Sequence, residues 1–294
     1  MKKIGFIGLG LMGEAMSKNI ISKFSGDVLV YDINQDAVSR LVTAGAKPAA
    51  SIREIADTAD VIISMVPRSE HVREVYKAIL PGLHKGQIAI DMSTIDPSVS
   101  IEVSRQVEKT GAIMLDAPVV KSVPAAVKGE LGIYIGGDKS AWETVKPVLA
   151  MMGNNQIHMG ENGRGLVMKI LHNLMVAGIQ NSVNEMLITA DHYGIDKTDF
   201  HKAISYGGAT NWYLDSKINS LKQEDYRTAF SLQNMAKDVN IMKAMLVESG
   251  LHLPGVDVVK GVYDCGLEDG LGGEDFSATY KVVKTNSKDN TEGK

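Results

Sequence analysis

The chain has 294 residues, 44% hydrophobic and 22% charged, with 31 Lys and Arg against 35 Asp and Glu for a formal charge of −4. That is the balance of a soluble globular protein with core enough for two domains or one large one, and it lacks the clustered basic surface of a phosphate-backbone binder. The one cysteine, Cys265, excludes an internal disulfide framework, and no window approaches the roughly 20 apolar residues of a membrane span.

The opening "MKKIGFIGLGLMG" places two lysines before an apolar run, but glycines break the run and Glu14 follows, unlike a secretory leader. A cytoplasmic protein is the expectation. "KIGFIG" (3–8) predicts a first strand ending in glycine, and a helix follows over 11–24. "DVLVYD" (27–32) predicts a second strand and "DAVSRLVTAG" (36–45) a helix closed by glycine. Further strands are expected at 60–67, 87–93, 112–118, 131–137 and 155–160. Strands that alternate with helices and are apolar along their whole length indicate a mostly parallel sheet covered on both faces.

The pattern changes near Gly160. Residues 163–193 contain no proline, and Leu166, Ile170, Leu174 and Ala177 recur at helical spacing. Val167, Leu171 and Met175 widen the apolar arc, which predicts a helix buried on more than one side. Helices are then expected at 198–206, 211–222, 231–249 and 254–269. The predicted organisation is an α/β dinucleotide-binding domain over 1–162, an all-α domain over 163–285 entered through the long helix, and an unstructured tail over 286–294.

Gly8, Gly10 and Gly13 form G-x-G-x-x-G between the first strand and its helix. In that context the first glycine permits a tight turn, the second admits a pyrophosphate, and the third lets helix and strand pack closely. The helix N-terminus offers unpaired N–H groups to the phosphates. This is the Rossmann arrangement. Asp32 ends the second strand, 19 residues after Gly13, in position to accept a bond from a ribose hydroxyl. Its charge repels a 2′-phosphate, and the nearest arginine, Arg40, lies well into the next helix, so NAD is expected over NADP. The candidate cofactor contacts in this turn are Gly8 to Gly13 with the intervening Leu9, Leu11 and Met12, then Asp32.

Nicotinamide chemistry on an alcohol needs a proton donor or acceptor beside the hydride path. The seven histidines show no metal spacing, and no metal is expected. Lys169 stands in the first turns of the otherwise apolar long helix, where burial makes a lysine a usable acid–base. Asn173, four residues on, shares its helix face. Periodicity alone is equally compatible with a lysine that extends to solvent.

"GFIGLGLMGEAMSKNI", "DMSTIDP", "DAPV…GEL", "GENGRGLVMKILHN" and "FSLQNMAKD" resemble, in order and spacing, the signatures of the β-hydroxyacid dehydrogenases, a family that includes 3-hydroxyisobutyrate dehydrogenase. The resemblance covers nearly the whole chain. It implies reversible, metal-independent hydride transfer between a nicotinamide and a small 3-hydroxy acid, with homodimers or homotetramers formed through the helical domain. It also implies that Lys169 is the catalytic lysine and Asn173 its partner, that Pro67 and Thr94 lie near the nicotinamide with Thr94 also near the substrate, and that Lys237, on the cofactor, and Asp238, on the substrate, are the second domain's active-site pair.

Two departures stand out. His172-Asn173 replaces the family's Asn-Asn. Asp116-Ala117-Pro118-Val119-Val120-Lys121-Ser122 replaces D-A-P-V-S-G-G at unchanged length. The family grips a substrate carboxylate with that serine and those glycines. Here Val120, Lys121 and Ser122 stand there, with Lys121 and Ser122 as the expected anchors. A lysine suits a carboxylate and equally a sulfonate, so reduction of a sulfonated three-carbon aldehyde (sulfolactaldehyde) is an alternative. Imine reduction is disfavoured by Lys169, the 6-phosphogluconate dehydrogenases have a much longer helical domain, and a non-catalytic dinucleotide sensor is disfavoured by Lys169 and Asn173.

Overall fold

The computed structural model describes residues 1–289. It divides into two compact units, Met1–Lys169 and Ile170–Lys294. The division falls inside the long helix rather than ahead of it, seven residues beyond the sequence boundary of 162.

The first unit runs β1 (Lys3–Ile7), α1 (Leu11–Lys23), β2 (Asp27–Tyr31), α2 (Gln35–Thr43), β3 (Lys47–Pro48), α3 (Ile52–Thr58), β4 (Val61–Ser64), α4 (Ser69–Ile79), β5 (Ile88–Asp91) and α5 (Pro97–Glu108). It continues with β6 (Ile113–Asp116), β7 (Val119–Val120), α6 (Val123–Lys128), β8 (Gly132–Gly137), α7 (Lys139–Ala150), β9 (Asn155–Gly160) and the start of α8 (Arg164–His192). The sheet order is β3-β2-β1-β4-β5-β6-β8-β7, with β9 also on β8. Pairing is parallel from β3 through β6, and β8 runs antiparallel to both β6 and β7.

Side chains alternate across this sheet, so each strand feeds two cores. Ile4, Phe6, Val61 and Ile63 enter one, with Met16 and Leu41 of the helices. Ile7 and Ile62 enter the other, with Tyr76 and Val103. Each such buried side chain contributes about 1.5–3 kcal/mol relative to exposure. Helix starts are fixed locally. Asn34 accepts from Asp36 N and Ala37 N at the head of α2, and Asp96 caps α5 ahead of Pro97.

The second unit holds the rest of α8 with α9 (Lys197–Ile204), α10 (Trp212–Gln223), α11 (Leu232–Ser249), α12 (Pro254–Glu268) and α13 (Thr279–Asp289). Its core includes Leu214, Met235, Val239 and Phe276. Gln180 of α8 donates to Phe276 O and Thr279 Oγ1 and accepts from the Tyr263 hydroxyl, which fixes the rotation of α8 among its neighbours. Among the described residues no helix is long and apolar enough to cross a membrane.

Three expectations change. The two-residue strands β3 and β7 are too short for an alternation signal, and the edge of the sheet supplies their pairing. α8 buries one face only. Leu166, Ile170, Asn173 and Ala177 are buried, whereas Leu171 is 42% and Met175 70% exposed in the chain, because a 3.6-residue repeat turns them to the opposite side. The tail expected to be unstructured is helical as far as Asp289 at the end of α13, and residues 290–294 lie outside the described residues.

Candidate active site

The order of strands reverses beside β1, which has β2 on one side and β4 on the other. In open α/β sheets such a switch point leaves a crevice beyond the strand carboxyl ends. The glycine turn fills that position. Gly8 adopts φ +91°, and a Cβ there would lie 2.3 Å from Met65 O. A Cβ on Gly13 would lie 2.0 Å from Gly8 O. Packing therefore demands both. Among the described residues, a Cβ at Gly10 would meet nothing within 4 Å, and no side chain caps α1. The open backbone face and the uncapped N–H groups fit a pyrophosphate. Gly13→Ala is accordingly expected to cost about 1–3 kcal/mol in denaturant unfolding, whereas Gly10→Ala leaves unfolding nearly unchanged and weakens dinucleotide binding in titration.

Asp32 is fixed by its neighbours: its Oδ2 accepts from Leu9 N at 2.6 Å and its Oδ1 from Asn34 N at 2.7 Å. It lines a cavity of about 280 Å³ together with Gly10, Leu11, Asn34, Glu14 and Arg40. Arg40, set aside on sequence distance, thus faces the same space, because α2 brings back what the chain separates. The side chain of Leu9 is buried in the core, Met12 packs against that core, and Leu11 is 78% exposed on the cavity rim. Leu9 can meet a cofactor only through its backbone.

The next two loops are joined by a carboxylate that the sequence reading did not single out. Asp91, wholly buried at the end of β5, accepts from Ser64 Oγ at 2.8 Å and Ser93 Oγ at 2.7 Å. Ser93 Oγ in turn accepts from Val66 N at 2.9 Å. The clip ties the segment leading to Pro67, which is exposed, to the one leading to Thr94, which is half-buried. Asp91 Oδ2 has no hydrogen-bond partner among the described residues, and burial pushes the carboxyl up to about 6.

Asp116 lies across the strand pair from Asp91. It accepts from Gly163 N at 2.7 Å through Oδ1 and from Leu166 N at 2.9 Å through Oδ2. Burial raises its proton affinity against the pull of those backbone donors. Asp116 thereby caps α8 from outside the helix and fixes the turn that precedes Lys169. Any Cβ on Gly136 or Gly165 would fall within 3 Å of its carboxylate, at 2.4 and 2.8 Å.

Lys121 follows β7 with φ +78°, one of only two non-glycine residues at positive φ among those described. This is the position of a glycine in the family pattern. Its ammonium is exposed and has no hydrogen bond or ion pair among the described residues, while Val120 and Ser122 are half-buried. The short helix behind it is anchored from α1. Buried Asn19 donates through Nδ2 to Ala126 O at 2.8 Å and Val127 O at 3.2 Å, satisfying the last carbonyls of α6.

Lys169 is the sixth residue of α8 and only 9% exposed. One helical turn on, in the second unit, Asn173 is 5% exposed and donates through Nδ2 to Asp238 Oδ2 at 2.6 Å. Lys237 Nζ lies 3.2 Å from Asp238 Oδ1, an ion-pair contact rather than an aligned hydrogen bond. The pairing of Asn173 with Asp238 crosses 65 positions of sequence and had no local signal.

A glycine turn at the switch point of a mostly parallel sheet, an acid on the next strand and a following helical unit define a dinucleotide-binding protein. Residues 3–160 match the family model described as the NAD binding domain of 6-phosphogluconate dehydrogenase, and residues 163–283 match the one described as NAD-binding of NADP-dependent 3-hydroxyisobutyrate dehydrogenase. The chain is 32% identical to the NAD-dependent L-serine dehydrogenase of Pseudomonas aeruginosa, over 96% of this chain and 98% of that protein. It is 32% identical to the mitochondrial 3-hydroxyisobutyrate dehydrogenase of Rattus norvegicus, over 96% of this chain and 87% of that one. The solved structure of Mycobacterium tuberculosis 3-hydroxyisobutyrate dehydrogenase with L-serine superposes with a TM-score of 0.91 at 28% identity, covering 97% of this chain and 99% of that one. The chain belongs to the β-hydroxyacid dehydrogenase family and is an NAD(P)-dependent enzyme acting on CH–OH groups.

Proposed function

We propose that this enzyme interconverts a small anionic 3-hydroxy acid and its semialdehyde without a metal, using NAD(H) and Lys169 as the general acid–base. The relatives named for L-serine and 3-hydroxyisobutyrate point to substrates with a hydroxyl on the third carbon of a carboxylic acid. A nicotinamide held over the Gly8–Gly13 turn would supply hydride-transfer chemistry at the alcohol carbon. In oxidation, Lys169 Nζ takes the hydroxyl proton as the carbonyl forms; in reduction it returns that proton to the oxygen. The reading rests first on Lys169 itself, a lysine 9% exposed in an apolar helix whose first turn Asp116 holds.

Asn173 holds the substrate hydroxyl in line with the lysine. Its amide nitrogen is engaged by Asp238, which leaves Oδ1 as the accepting end. Thr94 and Pro67 would hold the nicotinamide end of the cofactor, and the Asp91 clip holds their segments together. The test is absorbance of the reduced nicotinamide with a panel of small 3-hydroxy acids. Turnover on at least one is expected; cofactor binding with turnover on none would leave a non-catalytic dinucleotide-binding module.

Lys121 and Ser122 anchor the substrate's acid group. A lysine at φ +78° carries about 1 kcal/mol of backbone strain that glycine avoids. A cation left unpaired at that cost favours a strongly anionic ligand, which also supports the sulfonated three-carbon aldehyde as a second substrate reading. Lys121→Gly is expected to raise stability by about 1 kcal/mol and to raise KM for the anionic substrate with kcat little changed. Matched carboxylate and sulfonate semialdehydes decide which acid is preferred. Unchanged KM on both would make Lys121 a plain surface lysine.

A further inference from the structure

Beside Asp32, the cavity holds an ion pair that the family chemistry does not require. Arg40 Nε and Nη2 of α2 both donate to Glu14 Oε2 of α1, at 3.0 and 2.8 Å. Lys18 Nζ donates to the other oxygen, Oε1, at 2.7 Å. Hydrogen bonds from Arg40 and then Lys18 hold the Glu14 carboxyl below its usual range, so it stays charged. The arginine's phosphate-reading edge is therefore spent on Glu14, and only Nη1 has no partner among the described residues.

We propose that the corner of the cavity between Asp32 and Arg40 is a latent 2′-phosphate site, closed by Glu14, and that Glu14 sets the preference for NAD over NADP. Asp32 cannot turn aside to admit a phosphate, because Leu9 N and Asn34 N hold both of its oxygens. A 2′-phosphate must then sit toward Arg40. There it meets two carboxylates that line the cavity, Glu14 and Asp32, against one cation, Arg40, while Asp36 acts on Arg40 and Lys18 pairs with Glu14 from outside that lining. Removing the Glu14 charge equalises that balance and weakens the hold on two guanidinium donors in the fork geometry that phosphate takes best. A ribose with a plain 2′-hydroxyl needs neither change, since Asp32 retains lone pairs for it.

The test measures binding by calorimetry on the whole enzyme, with NAD⁺ and NADP⁺ and with the fragments adenosine 5′-phosphate and adenosine 2′,5′-bisphosphate. The wild type is expected to bind NAD⁺ more tightly than NADP⁺. Glu14→Gln is expected to lower the NADP⁺-to-NAD⁺ ratio of Kd values by about tenfold or more, and the fragments should follow. Glu14→Gln combined with Arg40→Gln should lose the gain. Melting curves confirm that each variant folds, and Glu14→Ala serves if Glu14→Gln does not. A wild type that binds NADP⁺ at least as tightly as NAD⁺, an unchanged ratio in the Glu14 variants, or a gain that survives loss of Arg40 would each overturn the proposal.

Discussion

Lys169→Ala is expected to lower kcat by roughly 10²–10⁴-fold, the usual worth of a positioned general acid–base, with dinucleotide affinity preserved. The side chain removed belongs to a helix whose first turn is held by Asp116 through Gly163 N and Leu166 N, so the backbone should stay where it is. The glycine turn and Asp32 lie on other elements. Lys169→Arg should be nearly as inactive, because a guanidinium does not release its proton in the working range. Small primary amines in the medium should restore part of the activity of Lys169→Ala and none of that of Lys169→Arg. Stopped-flow turnover and fluorescence titration of NADH read the two quantities separately. An alanine variant with wild-type kcat would remove Lys169 from the chemistry.

Asp91→Asn is expected to change how stability depends on pH. Burial raises the Asp91 carboxyl from 3.8 to about 6 in the folded chain, with the serine hydrogen bonds opposing and Asp116 adding to the rise. A raised carboxyl means the folded state binds this proton more tightly than the unfolded state does. Its contribution is therefore fully favourable below about pH 4, is lost as pH climbs toward 6, and stays lost above it. The amide is neutral throughout and keeps an Oδ1 to accept from Ser64 and Ser93. Relative to wild type, the variant should gain on the order of 3 kcal/mol between pH 4 and pH 8, whatever constant cost the new amide nitrogen adds. The groups facing Asp91 are Asp116 and Tyr76, and burial raises the proton affinity of both, Tyr76 well above its usual range. Urea unfolding of both proteins across this range is the measurement, and parallel curves would mean that Asp91 does not carry the linkage.

The parts that could be read from the chain alone are those whose cause is local. Gly8 and Gly13 follow β1 because the turn and the packing of α1 exclude a side chain at these points, and Gly10 leaves the backbone face open between them. The long helix announces itself through 29 residues without proline at a steady repeat. Lys169 and Asn173 fall on one face because 3.6 residues make a turn. By contrast, β7 has two residues, and only an antiparallel neighbour makes it a strand. Arg40 is remote in the chain, eight positions past Asp32; α2 doubles it back into the cavity. Asp91 and Asp116 fall within the strands predicted over 87–93 and 112–118 without standing out, since nothing local distinguishes a carboxylate that will bind serines or cap a helix from one facing water.

The chain by itself therefore determined the dinucleotide turn, its acid, the change from α/β to all-α and the helical spacing of lysine and asparagine. These depend on backbone geometry over a few residues, which composition and periodicity encode directly. Only the tertiary structure decided that Asp116 holds the start of α8, that Asp238 orients Asn173, that Lys121 pays for its place with a left-handed backbone, and that Glu14 holds Arg40 beside Asp32. Each of those is a contact between side chains or backbone brought together by separate elements, and its energy exists only once the elements have packed.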